Sequence, residues 1–130
     1  MNLLVFLFLV VCSVLLEAKM QNVTVTGTAV CNMKKLPNVL VELWEKDTFD
    51  PNDLLASVHT DTEGEFKITG GEDEVGSIEP FLRITHNCNA KPKCSRQTEF
   101  IVPKKHINAD IYDMTYIALD IVHRDDKQKC

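Results

Sequence analysis

VTVTGTAVC, residues 23–31, places Val23, Val25, Gly27, Ala29 and Cys31 on one face and threonines on the other. A period of two carried by branched residues is the pattern of a half-buried β-strand. The pattern recurs in NVLVELWE (38–45), LLASVHT (54–60), EFKIT (65–69), PFLRITH (80–86), TEFIVP (98–103) and TYIALDIV (115–122). Between these runs lie turn-forming residues: Pro37-Asn38, Asp50-Pro51-Asn52-Asp53, Glu63-Gly64, and Gly70-Gly71 with Gly76. Turn chemistry at such spacing predicts an all-β domain, a sandwich or barrel of seven or eight antiparallel strands. Helical periodicity is weak and confined to 87–96, so at most one short helical turn is expected there.

Residues 3–16, LLVFLFLVVCSVLL, form an apolar run too short to span a bilayer comfortably. Followed by Glu17, Ala18 and Lys19, it reads as a secretory signal peptide over 1–18. The remaining 20–130 form one β-sandwich domain, with no second apolar run to act as a transmembrane segment. The full chain carries 14 basic and 19 acidic residues. Removing 1–18 takes away Glu17 and leaves 14 against 18, a net charge of −4. An acidic balance argues against nucleic acid as a partner.

Cys12 leaves with the signal, and Cys31, Cys88, Cys94 and Cys130 remain. An even set of cysteines in a small exported domain predicts disulfides. Structural zinc favours close Cys/His pairs, and no CxxC spacing is present. Four cysteines allow three pairings. If the strands alternate up and down, Cys31, Cys88 and Cys94 gather at one end of the sandwich, so a bridge from Cys31 to Cys88 or to Cys94 is expected. Cys130 then stays free, takes the remaining cysteine, or links two chains.

Alternating strands also segregate charge. One end collects Lys34, Lys35, the Asp61–Glu63 turn and the stretch from Cys88 to Arg96, with Lys91 and Lys93. The other collects Asp47, Asp50, Asp53, Glu72, Asp73 and Glu74, with Asp125 and Asp126 nearby. Lys34, Lys35, Lys91, Lys93 and Arg96 are candidate contacts for an anionic lipid or partner, each cation contributing about 1 kcal/mol near an anionic surface. Asp47, Asp50 and Asp53 offer hard oxygen ligands suited to Ca²⁺, though their spacing is not that of an EF-hand. No other cofactor is indicated. Phe49, between these aspartates, could dip into a bilayer or cap the core, and core packing is the expected use. Asn22-Val23-Thr24 is a glycosylation sequon at Asn22. His59, His86, His106 and His123 lie far apart in sequence, and His86 beside Cys88 is the suggestive one. The late strand offers Tyr116, Ile117, Leu119 and Ile121 as a surface for a homodimer or another partner.

VTGTAVCN, PNVLVELWEKD with its DPNDLL continuation, HTDTEGEFKITG, and IEPFLRITHNC ahead of CSR together resemble the nematode transthyretin-like family. The resemblance spans nearly the whole chain after residue 20. It implies a prealbumin-like two-sheet sandwich and an extracellular, non-enzymatic binding protein. In its sharpest form it implies a bridge between phosphatidylserine on dying cells and a phagocyte receptor. It also implies an alternative: a carrier of a small hydrophobic ligand, or a secreted signal. The related hydroxyisourate hydrolases need a His and an Arg in the first two strands and a Tyr-Arg-Gly-Ser terminus. This chain has neither, and ends in HRDDKQKC.

Overall fold

A computed structural model describes residues 2, 4, 5 and 19–130. The expected signal peptide over 1–18, Cys12 included, therefore lies outside the described residues apart from Asn2, Leu4 and Val5. The domain is all-β. Its strands are β1 (Lys19–Cys31), β2 (Lys34–Lys35), β3 (Leu40–Glu45), β4 (Asp53–His59), β5 (Glu65–Glu74), β6 (Pro80–His86), β7 (Ser95–Ile101), β8 (Tyr112–Ala118) and β9 (Asp126–Lys129). Two of the nine are short additions, β2 and β9, to the seven runs legible in the sequence. In one sheet β1 is central, pairing antiparallel with β2 and β5 and parallel with β8. The other sheet runs β4-β3-β6-β7-β9, antiparallel throughout.

The inward positions of each strand build one core. Val23, Val25, Ala29, Val41, Leu43, Ile68, Leu82, Ile84, Val102 and Leu119 are all buried. Burying each Val, Leu or Ile side chain contributes about 1.5–3 kcal/mol. Gly27 occupies an inward position of β1 where a Cβ would meet Ile117 Cδ1 and a Phe66 ring carbon at 3.0 Å each. Glycine lets those two side chains close over the strand.

Three features differ from the sequence reading. Strand β8 runs parallel to β1, against the all-antiparallel expectation. The helical turn sits at Lys104–His106 and not within 87–96. Residues 87–94 instead make two successive turns, closed by Ala90 N–H to Asn87 O at 3.1 Å and Cys94 N–H to Lys91 O at 3.0 Å. Asn89 and Lys93 take positive φ in these turns, which ends any helical run.

The third difference is a β-bulge. Thr26 pairs with Asp113 but Thr28 with Tyr116, so β8 carries an extra residue there. Thr115, at φ 58°, absorbs it. The bulge re-phases the strand: Tyr112 and Met114 pack against the core before it, and Ile117 and Leu119 are buried after it. Ile117 and Leu119 are therefore core residues and leave the proposed partner surface. Tyr116 and Ile121 remain exposed.

Candidate functional site

Register places the C-terminal end of β1 beside the start of β5, and its N-terminal end beside Glu72–Glu74. The two ends of the sandwich thus carry different chemistry.

At the first end, β1 and β2 are joined by the two-residue turn Asn32-Met33, with Cys31 paired to Lys34. Both turn residues have positive φ, 49° and 68°. Such a turn suits Asn-Gly, so a methionine in the second place holds strained backbone. That methionine is 97% exposed. The turn is tied to the 87–94 loop by the Cys31–Cys88 disulfide and by Asn32 Nδ2 donating to Asn89 Oδ1 at 3.0 Å. The loop is held again at its far end by Cys94–Cys130, which draws β9 onto β7. HNCNAKPKCSR is thus stapled twice, and both cysteines left open by the sequence find partners within the chain.

Lys34, Lys35, Lys91 and Lys93 are all exposed on these tied segments. Lys35 is partly spent on Glu63, at 2.9 Å.

Arg96 is not part of that surface. It is buried and ion-paired with Asp126. Its Nη1 donates to the carbonyls of Cys88 and Leu119, both at 2.7 Å, and its Nη2 to that of Ile121 at 3.3 Å. The correction extends to Asp126, which belongs to this end and not to the acidic one. Burial pushes the Asp126 carboxyl up, but the hydrogen bond and charge of Arg96 outweigh this and hold it below the usual carboxylate range.

His86 lies beneath the same loop. Its Nδ1 accepts the Cys88 N–H at 3.2 Å and its Nε2 meets the Thr98 hydroxyl at 3.1 Å, so both nitrogens are engaged. Burial, then the Arg96 charge, lowers its pKa to about 4 and keeps it neutral.

At the opposite end the acidic residues converge. Glu45 from β3, Asp53 from β4 and Asp47 in the loop between them face Glu72 and Glu74 of β5, so both sheets contribute. Ligand oxygens of Glu45, Asp47 and Glu74 lie within 4.8 Å of one another, and so do those of Glu45, Asp53 and Glu72. Asp47 and Asp53 thus join the cluster the sequence placed here, while Asp50 belongs to neither group. Glu45 was missed, although period two reveals it: Val41, Leu43 and Glu45 share the inward face, and Glu45 is 2% exposed. Phe49 does not cap the core; it is 96% exposed in the loop beside the cluster. Gln21 of β1 braces the rim, donating to the carbonyls of Glu74 and Gly76 and accepting from Ile78 N–H.

Carboxylates held this close resist ionisation. Burial first, then the charge of Glu74, pushes Glu45 up to about 7. Burial, then the hydrogen bond and charge of Asp53, pushes Glu72 to about 7. A raised folded-state pKa gives stability that is complete below the unfolded value near 4.5 and is lost as pH rises through 7. In metal-free buffer, Glu45→Gln is therefore expected to match the wild type in Tm at pH 5 and to exceed it by about 5 °C at pH 8. Thermal denaturation of both proteins across that range checks this; a pH-independent gap refutes it.

Asn22 is exposed on β1, its N–H bonded to Asn108 Oδ1 at 2.8 Å, and the sequon's Thr24 hydroxyl meets that of Thr69 at 2.9 Å. A cleft of about 400 Å³ opens over Phe81 of β6, Phe100 of β7 and Val102 just beyond it, between Pro80 and Pro103. Among the described residues no helix is long and apolar enough to cross a membrane.

The sequence matches a family model described as the transthyretin-like family over residues 26–103. Transthyretin-like protein 16 of Caenorhabditis elegans is 52% identical over 130 residues, spanning 99% of this chain and 98% of that protein. Transthyretin-like protein 5 of the same organism is 40% identical over 127 residues, spanning 92% and 91%. In three dimensions the domain resembles part of a 9R-lipoxygenase from Cyanothece, with a TM-score of 0.53 and 20% identity. That match covers 76% of this chain but 16% of the lipoxygenase, and is a likeness of fold alone. The chain belongs to the transthyretin-like family.

Proposed function

We propose that this is a secreted, non-enzymatic binding protein whose lysine-bearing end docks on anionic phospholipid of the phosphatidylserine type, leaving the rest of the domain free to engage a cell-surface receptor. Export through the signal peptide over 1–18 is part of this reading. Two disulfides in a domain of this size fit an oxidising compartment.

The observation that carries the reading is Met33. A thioether side chain held almost wholly in solvent, on a strained turn flanked by lysines, gains free energy by entering the headgroup boundary of a bilayer. Lys34, Lys91 and Lys93 then add about 1 kcal/mol each from an anionic surface. The disulfide presents the two lysine segments together without further ordering cost at binding.

Vesicle cosedimentation tests this. The wild type is expected to bind vesicles containing phosphatidylserine and to ignore pure phosphatidylcholine. The triple variant Lys34→Glu/Lys91→Glu/Lys93→Glu is expected to lose binding by at least tenfold, and Met33→Ser to weaken it severalfold. Binding that needs free Ca²⁺ and survives the triple variant would move the contact to the acidic end and overturn the reading.

A second reading rests on the cleft over Phe81, Phe100 and Val102, whose size suits a small apolar ligand. Displacement of a fluorescent hydrophobic probe, absent in Phe100→Asp, would support a carrier in its place.

A further inference from the structure

Five carboxylates at the mouth of the sandwich have no counter-charge from the described residues. Among the described residues the ion pairs use Glu63, Glu79, Glu99 and Asp126, and none uses Glu45, Asp47, Asp53, Glu72 or Glu74. Glu45 is buried, yet its Oε2 has no hydrogen-bond partner; Oε2 of Glu72 and of Glu74 are likewise buried and unpartnered. A buried carboxylate oxygen without a donor is costly, and no donor for these oxygens is present among the described residues.

We infer that this cluster is a Ca²⁺ site in which Glu45 is the shared ligand, joined by Asp47 and Glu74 on one side and by Asp53 and Glu72 on the other. Oxygens bound to one Ca²⁺ at about 2.4 Å lie no more than about 4.8 Å apart across the ion. Each of the two triads meets that limit. An all-oxygen set disfavours zinc, whose protein sites are built mostly on sulfur and nitrogen ligands, and favours Ca²⁺ over Mg²⁺, which keeps most of its water and seldom sits in a cage of side chains. Because β5 lies in one sheet and β3 and β4 in the other, the ion ties the two sheets together at their open end. The loop with Phe49 is anchored by the same ligands through Asp47 and Asp53.

This site stands apart from the lysine end, and the experiment separates the two. The full protein, stripped with chelator and dialysed, is titrated with CaCl₂ in a calorimeter and followed by thermal denaturation. Saturable binding in the range of about 10⁻⁵ to 10⁻³ M is expected, with a rise in Tm. Mg²⁺ is expected to bind at least tenfold more weakly. Glu45→Gln and Asp53→Asn each weaken Ca²⁺ binding by tenfold or more while circular dichroism stays that of the wild type. Asp50→Asn, outside both triads, leaves it unchanged, as does the triple lysine variant. A folded wild type that gives neither heat nor a Tm shift at about 5 mM Ca²⁺ overturns the assignment. So does Ca²⁺ binding that both Glu45→Gln and Asp53→Asn retain, or a Tm rise that Mg²⁺ and a polyamine produce equally.

Discussion

Arg96→Met is expected to destabilise the domain by roughly 3–5 kcal/mol, the usual result of removing one partner from a buried ion pair. Side-chain exposure is 7% for Arg96 and 5% for Asp126, so little water reaches either charge. The substitution keeps most of the volume but strands the Asp126 carboxylate and three backbone carbonyls, those of Cys88, Leu119 and Ile121. Those three belong to different segments: the stapled loop, the end of β8 and the connection to β9. One guanidinium therefore organises the whole lysine-bearing end. In urea denaturation the double variant Arg96→Met/Asp126→Leu should recover a large part of the loss, because an apolar pair leaves no stranded charge. Additive losses in the double variant would show that the pair is not the source of the effect.

Replacing Cys31 and Cys88 together by alanine is expected to cost about 4 kcal/mol, from the entropy released to the unfolded chain by a closed loop of 57 residues. Cys88 is also buried in the core, so truncating it removes packing as well. The functional consequence is specific: with the staple gone, the side-chain hydrogen bonds that join the Met33 turn to the 87–94 loop among the described residues are those between Asn32 and Asn89. Vesicle binding should fall even at temperatures where the variant stays folded. Non-reducing mass mapping of the wild type checks the premise and should return Cys31–Cys88 with Cys94–Cys130. A map joining Cys31 to Cys94 would refute the connectivity.

The strands were legible because their faces differ chemically: an inward Val, Leu or Ile and an outward Thr, Glu or Lys make the two-residue period visible in one dimension. The division of charge between the two ends was legible for a related reason, since alternating strands send alternate loops the same way. Individual roles at those ends were not. Arg96 reads as one more cation in a basic stretch, and its burial depends on Asp126, which lies 30 residues away. Ile117 and Leu119 keep the right period for a surface stripe, and only the extra residue at Thr115 turns them inward. Phe49 lies in an apolar-poor loop outside the strands, and that loop leaves it 96% exposed.

Sequence by itself determined the all-β class, the strand positions, the even cysteine set and the family, because each rests on local periodicity or on a residue pattern. Tertiary structure alone decided the pairing of the cysteines, the parallel course of β8, the burial of Arg96 and the meeting of Glu45 with Glu72 and Glu74. All four join residues distant in the chain, and their energies depend on desolvation and on distances that exist only once the two sheets have closed on one another.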